Sequence, residues 1–596
     1  MNKEKKQSGY ASIDLPWLNY LSEDAINVKL SNKTLYEVFK ESEKLYSDGR
    51  VMLDYYGATF KYKYINDKVE KVANALSNLG VKKGDYVSLC VFIAPEVIYL
   101  IYAISKLGAI ANLINPFELD EVVPANVTKV NCNYLFTFDM FSHKFKDIPK
   151  DKMPKHVISM SALDSMILIS KFISRFYGLV RHKVPKELNA ITWQEFMKYG
   201  DKEAKIDYEV KGTDPAVVFP TSGTSGHSKG ALVSSKAINN CLEQYSAQNS
   251  RIGKYDSCLC AVPMFHAFAI TTGLHEGIRH GMKIVMRMPG NNLLVDAFKH
   301  DKVNHVAFMP QIWQTFVDQD KKIDMSCVID PITGSDVLTP ELEEKINNYF
   351  KKNGSNEVIL NGFGLTEVCA AACVNTQTHH KTGSVGLPFS KTIIAAFDPD
   401  TGKEKKFNEV GELCIHSPSI MIGYVGLPEK TKEVLRIHED GKLWFHSGDL
   451  GYVDEEGYVF YKSRKSRSFY YQFPGTTRGV NFKIDYSDIE DAFKHHDLVE
   501  RCVAIPRPDK ECFNVPVLLV QLKKDVVANQ NGVGASQNGV GVSTASPYEA
   551  IIEDFKKHAD ETLLKHLRPV DYKFVEEIPL TLFGKVDYQK VDQMYN

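Results

Sequence analysis

Strand and helix patterns alternate between residues 33 and 360, and this predicts an α/β protein with mostly parallel sheets flanked by helices. Near residue 410 the texture changes to short strands separated by glycine turns, which predicts a small β-subdomain. A basic stretch, Lys462 to Arg467, then precedes a smaller α+β unit. These observations divide the 596 residues into a large N-terminal domain, 1–462, a connecting stretch, 463–467, and a small C-terminal domain, 468–596.

The elements follow from residue patterns. Tyr64 to Leu79 has the apolar spacing of a helix, and Gly80 to Asp85 reads as a turn. Tyr86 to Phe92 is a short apolar run that suits a buried strand. Ala94 to Leu107 is helical, and Ile110 to Ile114 is again a strand. Such strand–helix–strand units recur near 256–286, 304–317 and 326–360. In the later region Glu409 to Ile415, Leu443 to Phe445 and Tyr458 to Tyr461 read as short strands, with Asp454 to Gly457 as a hairpin turn. Residues 529–546 are polar and glycine-rich and contain QNGVG twice, so they read as a flexible surface insertion.

Composition excludes several functions. A net charge of −2 gives no field for a nucleic-acid backbone. Eleven scattered cysteines contain no paired CxxC motifs, which argues against zinc and for free thiols in a reducing, cytoplasmic setting. The basic N-terminus lacks a following apolar stretch, so secretion is not indicated. The segment from Met166 to Arg181 mixes apolar and basic residues. It suits a core-facing helix with snorkelling cations, or weak contact with a membrane surface.

The densest chemistry lies in Thr221, Ser222, Gly223, Thr224, Ser225, Gly226 and Lys229. An apolar strand, Pro215 to Phe219, leads in, and a helix from Ser235 leads out. Glycines free backbone N–H groups to face an anion, and hydroxyls and an ammonium add donors suited to phosphate. Lys229 follows Ser228 and precedes Gly230, so the Walker A pattern fails.

This loop resembles the phosphate loop of the adenylate-forming superfamily of acyl-CoA synthetases, luciferases and adenylation domains, most closely the fatty acyl-CoA ligases. Asn361, Gly362, Phe363, Gly364, Leu365, Thr366 and Glu367 resemble a second motif of that family. The resemblance implies that Phe363 stacks on adenine, Thr366 bonds the α-phosphate and Glu367 holds magnesium. On local grounds alone, Thr366 and Glu367 equally suit the start of a helix of small residues. Gly334 and Ser335 resemble the segment lining the adenine pocket. Asp449, read as a turn residue, matches the ribose-binding aspartate, and Arg464 matches an arginine beside it. Lys585 matches a lysine that the mobile C-terminal domain brings to the carboxylate and α-phosphate. By the same resemblance His266 gates the acyl and thiol channels.

The implied reaction joins a carboxylic acid to ATP with Mg²⁺, releases pyrophosphate and passes the acyl group to a thiol. The apolar surroundings of His266 point to a medium- or long-chain fatty acid. The resemblance implies CoA as acceptor. Two departures keep alternatives open: Arg467 stands where the family has a hinge acid or lysine, and residues 471–480 read as holding an insertion. A carrier-protein thiol is one alternative acceptor, and a non-catalytic nucleotide- and acyl-binding homologue is another reading.

Overall fold

The computed structural model describes residues 8–595 except 119–121, 167–179, 222–228, 250, 254–255, 289–290, 465–467, 472–481, 495, 524–525, 527–547, 580–585 and 587. The segment around Met166 to Arg181 and the QNGVG insertion fall largely outside the described residues. Two compact units are present, and among the described residues the second comprises those from Arg464 onward.

The larger unit is built on mixed sheets. Its eight-stranded sheet has a parallel core of Pro215–Pro220, Ile110–Leu113, Tyr86–Cys90, Tyr134–Phe138, His156–Met160 and Ile191–Thr192. The predicted strand–helix–strand unit is present as Tyr62–Asn78, Tyr86–Cys90, Pro95–Lys106 and Ile110–Leu113. Pro95–Lys106 is buried nearly all round, as befits a helix with a mean composition too apolar for a surface. Phe39 stacks on Tyr102 of this helix at 4.6 Å and ties a third helix, Leu35–Leu45, to it. That third helix starts with a capping box, in which Thr34 and Glu37 satisfy each other's backbone N–H groups.

Antiparallel strands cover one edge of this sheet. Gly230–Ser234 pairs with Pro215–Pro220, and Gly423–Tyr424 pairs in turn with Gly230–Ser234. The strand Gly230–Ser234 was not foreseen: the helix Ser235–Gln248 does not follow Lys229 directly. The helix Ser235–Gln248 begins where the sequence places it, one short strand beyond the hydroxyl-rich segment.

Two further parallel arrays adjoin. Ser257–Cys260, Lys283–Met286 and Val51–Tyr55 form one. Ala307–Phe308, Ile332–Thr333 and Leu360–Phe363 form the other, with antiparallel Cys373–Val374 and Leu387–Pro388 at its edge. The β-subdomain is an antiparallel sheet of Ile393–Phe397, Gly411–His416, Leu443–Val453 and Leu435–Ile437.

The smaller unit is α+β. Val499–Asp509 and Phe513–Leu522 pair antiparallel, and Asp571–Phe574 adds in parallel. Its core gathers Ile489, Phe493, Leu518, Phe555 and Tyr572. None of the eleven cysteines is in a disulfide; nine are buried, and Cys327 and Cys512 are half-buried. Among the described residues, no helix is long and apolar enough to cross a membrane.

Candidate active site

The ends of the hydroxyl-rich loop are fixed by backbone pairing. Pro220 lies opposite Gly230, and the Thr221 N–H donates to the Lys229 carbonyl at 2.9 Å. Ser222, Gly223, Thr224, Ser225 and Gly226 lie outside the described residues. Thr221 is buried, and its Oγ1 has no hydrogen-bond partner among the described residues.

Lys229 and Glu367 are far apart in sequence but meet through Tyr424. The Lys229 Nζ lies 5.5 Å from the Tyr424 ring centroid, within cation–π range. The Tyr424 hydroxyl donates to Glu367 Oε1 at 2.7 Å. The Met421 N–H donates to the Glu367 carbonyl at 2.8 Å, which ties the backbones together as well. The edge strand Gly423–Tyr424 causes this meeting, because its register puts Tyr424 opposite Ala231. The pairing that gives Tyr424 its place is not legible in the local sequence.

Glu367 is 8% exposed, and among the described residues no basic group forms an ion pair with it. Thr366 and Glu367 begin a 3₁₀ turn, Thr366–Val368, whose N-cap is Leu365. The expected helix of small residues does not form. Cys369 and Ala370 have φ of 62° and 116°, which ends the turn and returns the chain to the strand Cys373–Val374. Gly364 allows this return: a Cβ there would lie 2.0 Å from the Ala370 carbonyl oxygen.

The two segments expected around adenine are neighbours. Ile332–Thr333 runs parallel to Leu360–Phe363, with Thr333 opposite Asn361. A Cβ on Gly334 would stand 3.0 Å from the Gly362 carbonyl oxygen, so the glycine permits a close approach. Ser335 has φ of 69°, which turns the chain after the strand. Phe363 is half-buried at the end of its strand. Asn361 Nδ2 donates to the Ser384 carbonyl at 3.1 Å. Thr333 Oγ1 and Asn361 Oδ1 are buried with no partner among the described residues. Buried polar atoms are rarely left so, and these two belong to residues paired across neighbouring strands.

Asp449 lies inside the long strand Leu443–Val453, not on a simple turn. A register shift opposite Glu412 to Cys414 and a φ of 73° at Gly448 bulge the strand here. The Ser447 hydroxyl donates to the Leu413 carbonyl at 2.6 Å and accepts from the Asp449 N–H at 3.0 Å. Glu412 Oε1 accepts from the Gly448 N–H at 3.1 Å, and its Oε2 lies 3.2 Å from His446 Nδ1. Cys414 Sγ is 3.4 Å from the same nitrogen. Burial lowers the pKa of His438, whose Nε2 lies 3.0 Å from His446 Nε2, so His438 stays neutral at pH 7. Glu412 and His446 hold the bulge, and sequence reasoning missed both.

His266 begins the approach to a π-helix, Ala269–His275, a form often found at functional sites. Its ring reaches solvent but sits among dense protein walls, which hold its pKa below the ordinary value. It is therefore neutral at pH 7. Arg464 ends the strand Val459–Arg464, but its side chain lies outside the described residues, as does the whole of Lys585.

With this geometry in place, comparison with known proteins fixes the class. The AMP-binding enzyme family matches residues 39–425, and the C-terminal domain of AMP-binding enzymes matches residues 488–585. The chain belongs to this adenylate-forming family of acid–CoA ligases. It is similar to a long-chain-fatty-acid–CoA ligase of Bacillus subtilis (strain 168), with 25% identity over 587 residues and 96% of each chain covered. It is also similar to a 4-coumarate–CoA ligase of Petroselinum crispum, with 23% identity over 542 residues, covering 89% of this chain and 88% of that one. Its fold matches an anthranilate CoA ligase solved with anthranoyl-AMP, at a TM-score of 0.63 and 18% identity, covering 96% of this chain and 98% of that one. It matches a long-chain-fatty-acid–CoA ligase of Archaeoglobus fulgidus at a TM-score of 0.64 and 18% identity, covering 92% and 98%.

Proposed function

We propose that this chain joins a lipophilic carboxylic acid to the α-phosphate of ATP and then passes the acyl group to the thiol of CoA. A carboxylate oxygen attacks the α-phosphorus, and the bond to pyrophosphate breaks. The thiol sulfur then attacks the acyl carbonyl, AMP leaves and the thiol proton passes to solvent. The observation that carries this reading is the Lys229–Tyr424–Glu367 connection, together with the buried Thr333 and Asn361 oxygens that have no partner among the described residues.

The roles follow from the chemistry of each group. Thr221 to Gly226 and Lys229 offer donors to the phosphates. Phe363 offers a flat apolar face to adenine, with Gly334, Ser335, Asn361 and Gly362 as the pocket walls. Thr366 bonds the α-phosphate, and Asp449 and Arg464 hold the ribose. Glu367 suits magnesium: it is a buried carboxylate with no ion pair among the described residues, and Mg²⁺ commonly takes only one or two carboxylates. Bound there, the cation would neutralise phosphate charge. Neutral His266 borders the entrance for the acyl group without repelling or fixing charge. Lys585 supplies the cation for the crowded oxygens between acid and α-phosphate.

CoA is preferred over a carrier-protein thiol because the relatives named above are CoA ligases. Acid-dependent exchange of labelled pyrophosphate into ATP tests the first step. Exchange with at least one acid is expected, and silence across fatty and aryl acids would refute the reading. Lys585→Ala should lower exchange at least a hundred-fold with an unchanged melting temperature. Formation of an acyl-CoA product then decides the acceptor.

A further inference from the structure

We propose that Glu412, Cys414 and His446 form a binding site for a single zinc ion, buried in the β-subdomain beside the bulge that carries Asp449. The site is distinct from the magnesium position expected at Glu367, and it does not depend on the ligase reading.

Two strands supply the ligands. Glu412 and Cys414 are two residues apart in Gly411–His416, so their side chains leave the same face of the strand. Cys414 lies opposite His446 in Leu443–Val453, which puts the His446 side chain on that face too. A regular ladder would then set Glu412 opposite Gly448. The register shift sets it opposite Leu450 instead, and the extra residues form the bulge. Pairs of CxxC are the usual sequence sign of zinc, and a ligand set split between two strands shows none.

The outcome is a sulfur, a nitrogen and an oxygen gathered at one point. Cys414 Sγ lies 3.4 Å from His446 Nδ1, Glu412 Oε2 lies 3.2 Å from the same nitrogen, and all three atoms lie within 4.8 Å of one another. Zinc bonds of about 2.3 Å to sulfur and about 2.0–2.2 Å to nitrogen and oxygen, at tetrahedral angles, separate ligand atoms by roughly 3.3–3.6 Å. The three atoms stand near that spacing. Among the described residues, no other three such side chains converge in this way.

Charge and burial favour the same occupant. All three residues are buried. A dication held by a thiolate, a carboxylate and a neutral imidazole is formally neutral with its ligands, so no net charge is buried. The Cys414 thiol proton leaves to solvent as the zinc–sulfur bond forms. Sulfur beside imidazole selects zinc over magnesium or calcium, which take oxygen ligands. Three protein ligands leave the fourth tetrahedral position to water.

A further side chain orients the imidazole. His438 Nε2 lies 3.0 Å from His446 Nε2, the ring nitrogen remote from Glu412 and Cys414. A zinc-bound His446 carries its proton on Nε2 and donates it to His438, which leaves the Nδ1 lone pair for the ion. Ligating histidines are usually held by such an acceptor on their other nitrogen. His438 is itself pinned by aromatic rings: Trp444 stacks on it at 5.5 Å, and Phe397 meets it edge-on at 4.7 Å. Glu412 Oε1 stays on the Gly448 N–H at 3.1 Å, so the ion would tie both strands to the bulge.

The test strips the untagged full chain with a chelator, holds it in excess Mg²⁺ and titrates it with Zn²⁺ or Co²⁺. One zinc per chain is expected, with a rise in melting temperature. Bound Co²⁺ should show a thiolate-to-metal charge-transfer band. X-ray absorption of the zinc form should show one sulfur at about 2.3 Å, with nitrogen and oxygen at about 2.0–2.2 Å. His438→Phe keeps the aromatic packing but removes the acceptor, and should weaken zinc binding about ten- to a hundred-fold. Cys414→Ser should weaken it at least as much and abolish the cobalt–sulfur band. The double variant Cys327→Ser, Cys512→Ser removes the half-buried thiols and should bind zinc as the parent does. No zinc retained, a metal shell without sulfur, or binding lost with Cys327 and Cys512 would overturn the proposal. The spectra of the parent chain decide the question even where Cys414→Ser does not fold. Zinc binding is read without ATP or acid, so its failure leaves the ligase reading standing.

Discussion

At the residue scale, Tyr424 shows how one side chain can connect two distant motifs. Its ring faces the Lys229 ammonium and its hydroxyl holds Glu367. Tyr424→Phe keeps the ring and removes the hydroxyl. Adenylation should fall about ten- to a hundred-fold, from loss of one hydrogen bond to a charged group, with little change in melting temperature. A stopped-flow or exchange assay reads this directly, and full activity would deny Tyr424 a part in placing Glu367. Glu96 offers a different test. It is buried, one oxygen accepts from Ser165, and the other has no partner among the described residues. Burial pushes its pKa up to about 7. Below the unfolded pKa both states hold the proton and nothing is lost. As pH rises toward 7, folding must suppress an ionisation that the unfolded chain allows, so stability falls. Glu96→Gln removes that penalty, so its advantage over the parent should grow by about 1–3 kcal/mol between pH 5 and pH 8. Melts at both pH values check the sign.

At the element scale, the turn after Phe363 depends on glycine for space. Gly364→Ala would press a Cβ onto the Ala370 carbonyl, and relief must displace the segment carrying Thr366 and Glu367. A loss of about 2 kcal/mol or more is expected, together with most of the adenylation activity. Wild-type melting and turnover in that variant would show the turn to be softer than its geometry. Much of the larger unit was legible at this scale. Tyr62–Asn78 and Pro95–Lys106 fall within a few residues of their predicted limits, because their apolar spacing and flanking turns act locally. The strand Gly230–Ser234 escaped notice because Ala231, Leu232 and Val233 are too few to show a period. The expected small-residue helix failed for the converse reason. Alanine favours helix, but pairing of Cys373–Val374 with its neighbours outweighs that preference. Asp449 was read as a turn residue because Ser-Gly-Asp has turn composition; the flanking strand pairs absorb it as a bulge.

At the scale of the whole molecule, the motifs were readable one by one, but their meeting was not. Lys229, Tyr424 and Glu367 are joined by an edge strand whose partner lies nearly two hundred residues away. Local composition reports chemistry, whereas long-range pairing decides which chemistries share a space.

The distribution of sulfur has a consequence of its own. Cys327 and Cys512 are half-buried, whereas Cys90, Cys241, Cys258, Cys369 and four others lie inside the larger unit and Cys502 inside the smaller. Alkylating reagents should therefore tag the first pair in the native protein and reach the other nine only as their surroundings open. Mass spectrometry of a timed iodoacetamide reaction would count those openings position by position. Modification of Cys502 ahead of the interior set would show the C-terminal unit breathing on its own, an internal clock for separate unfolding that requires no engineered label.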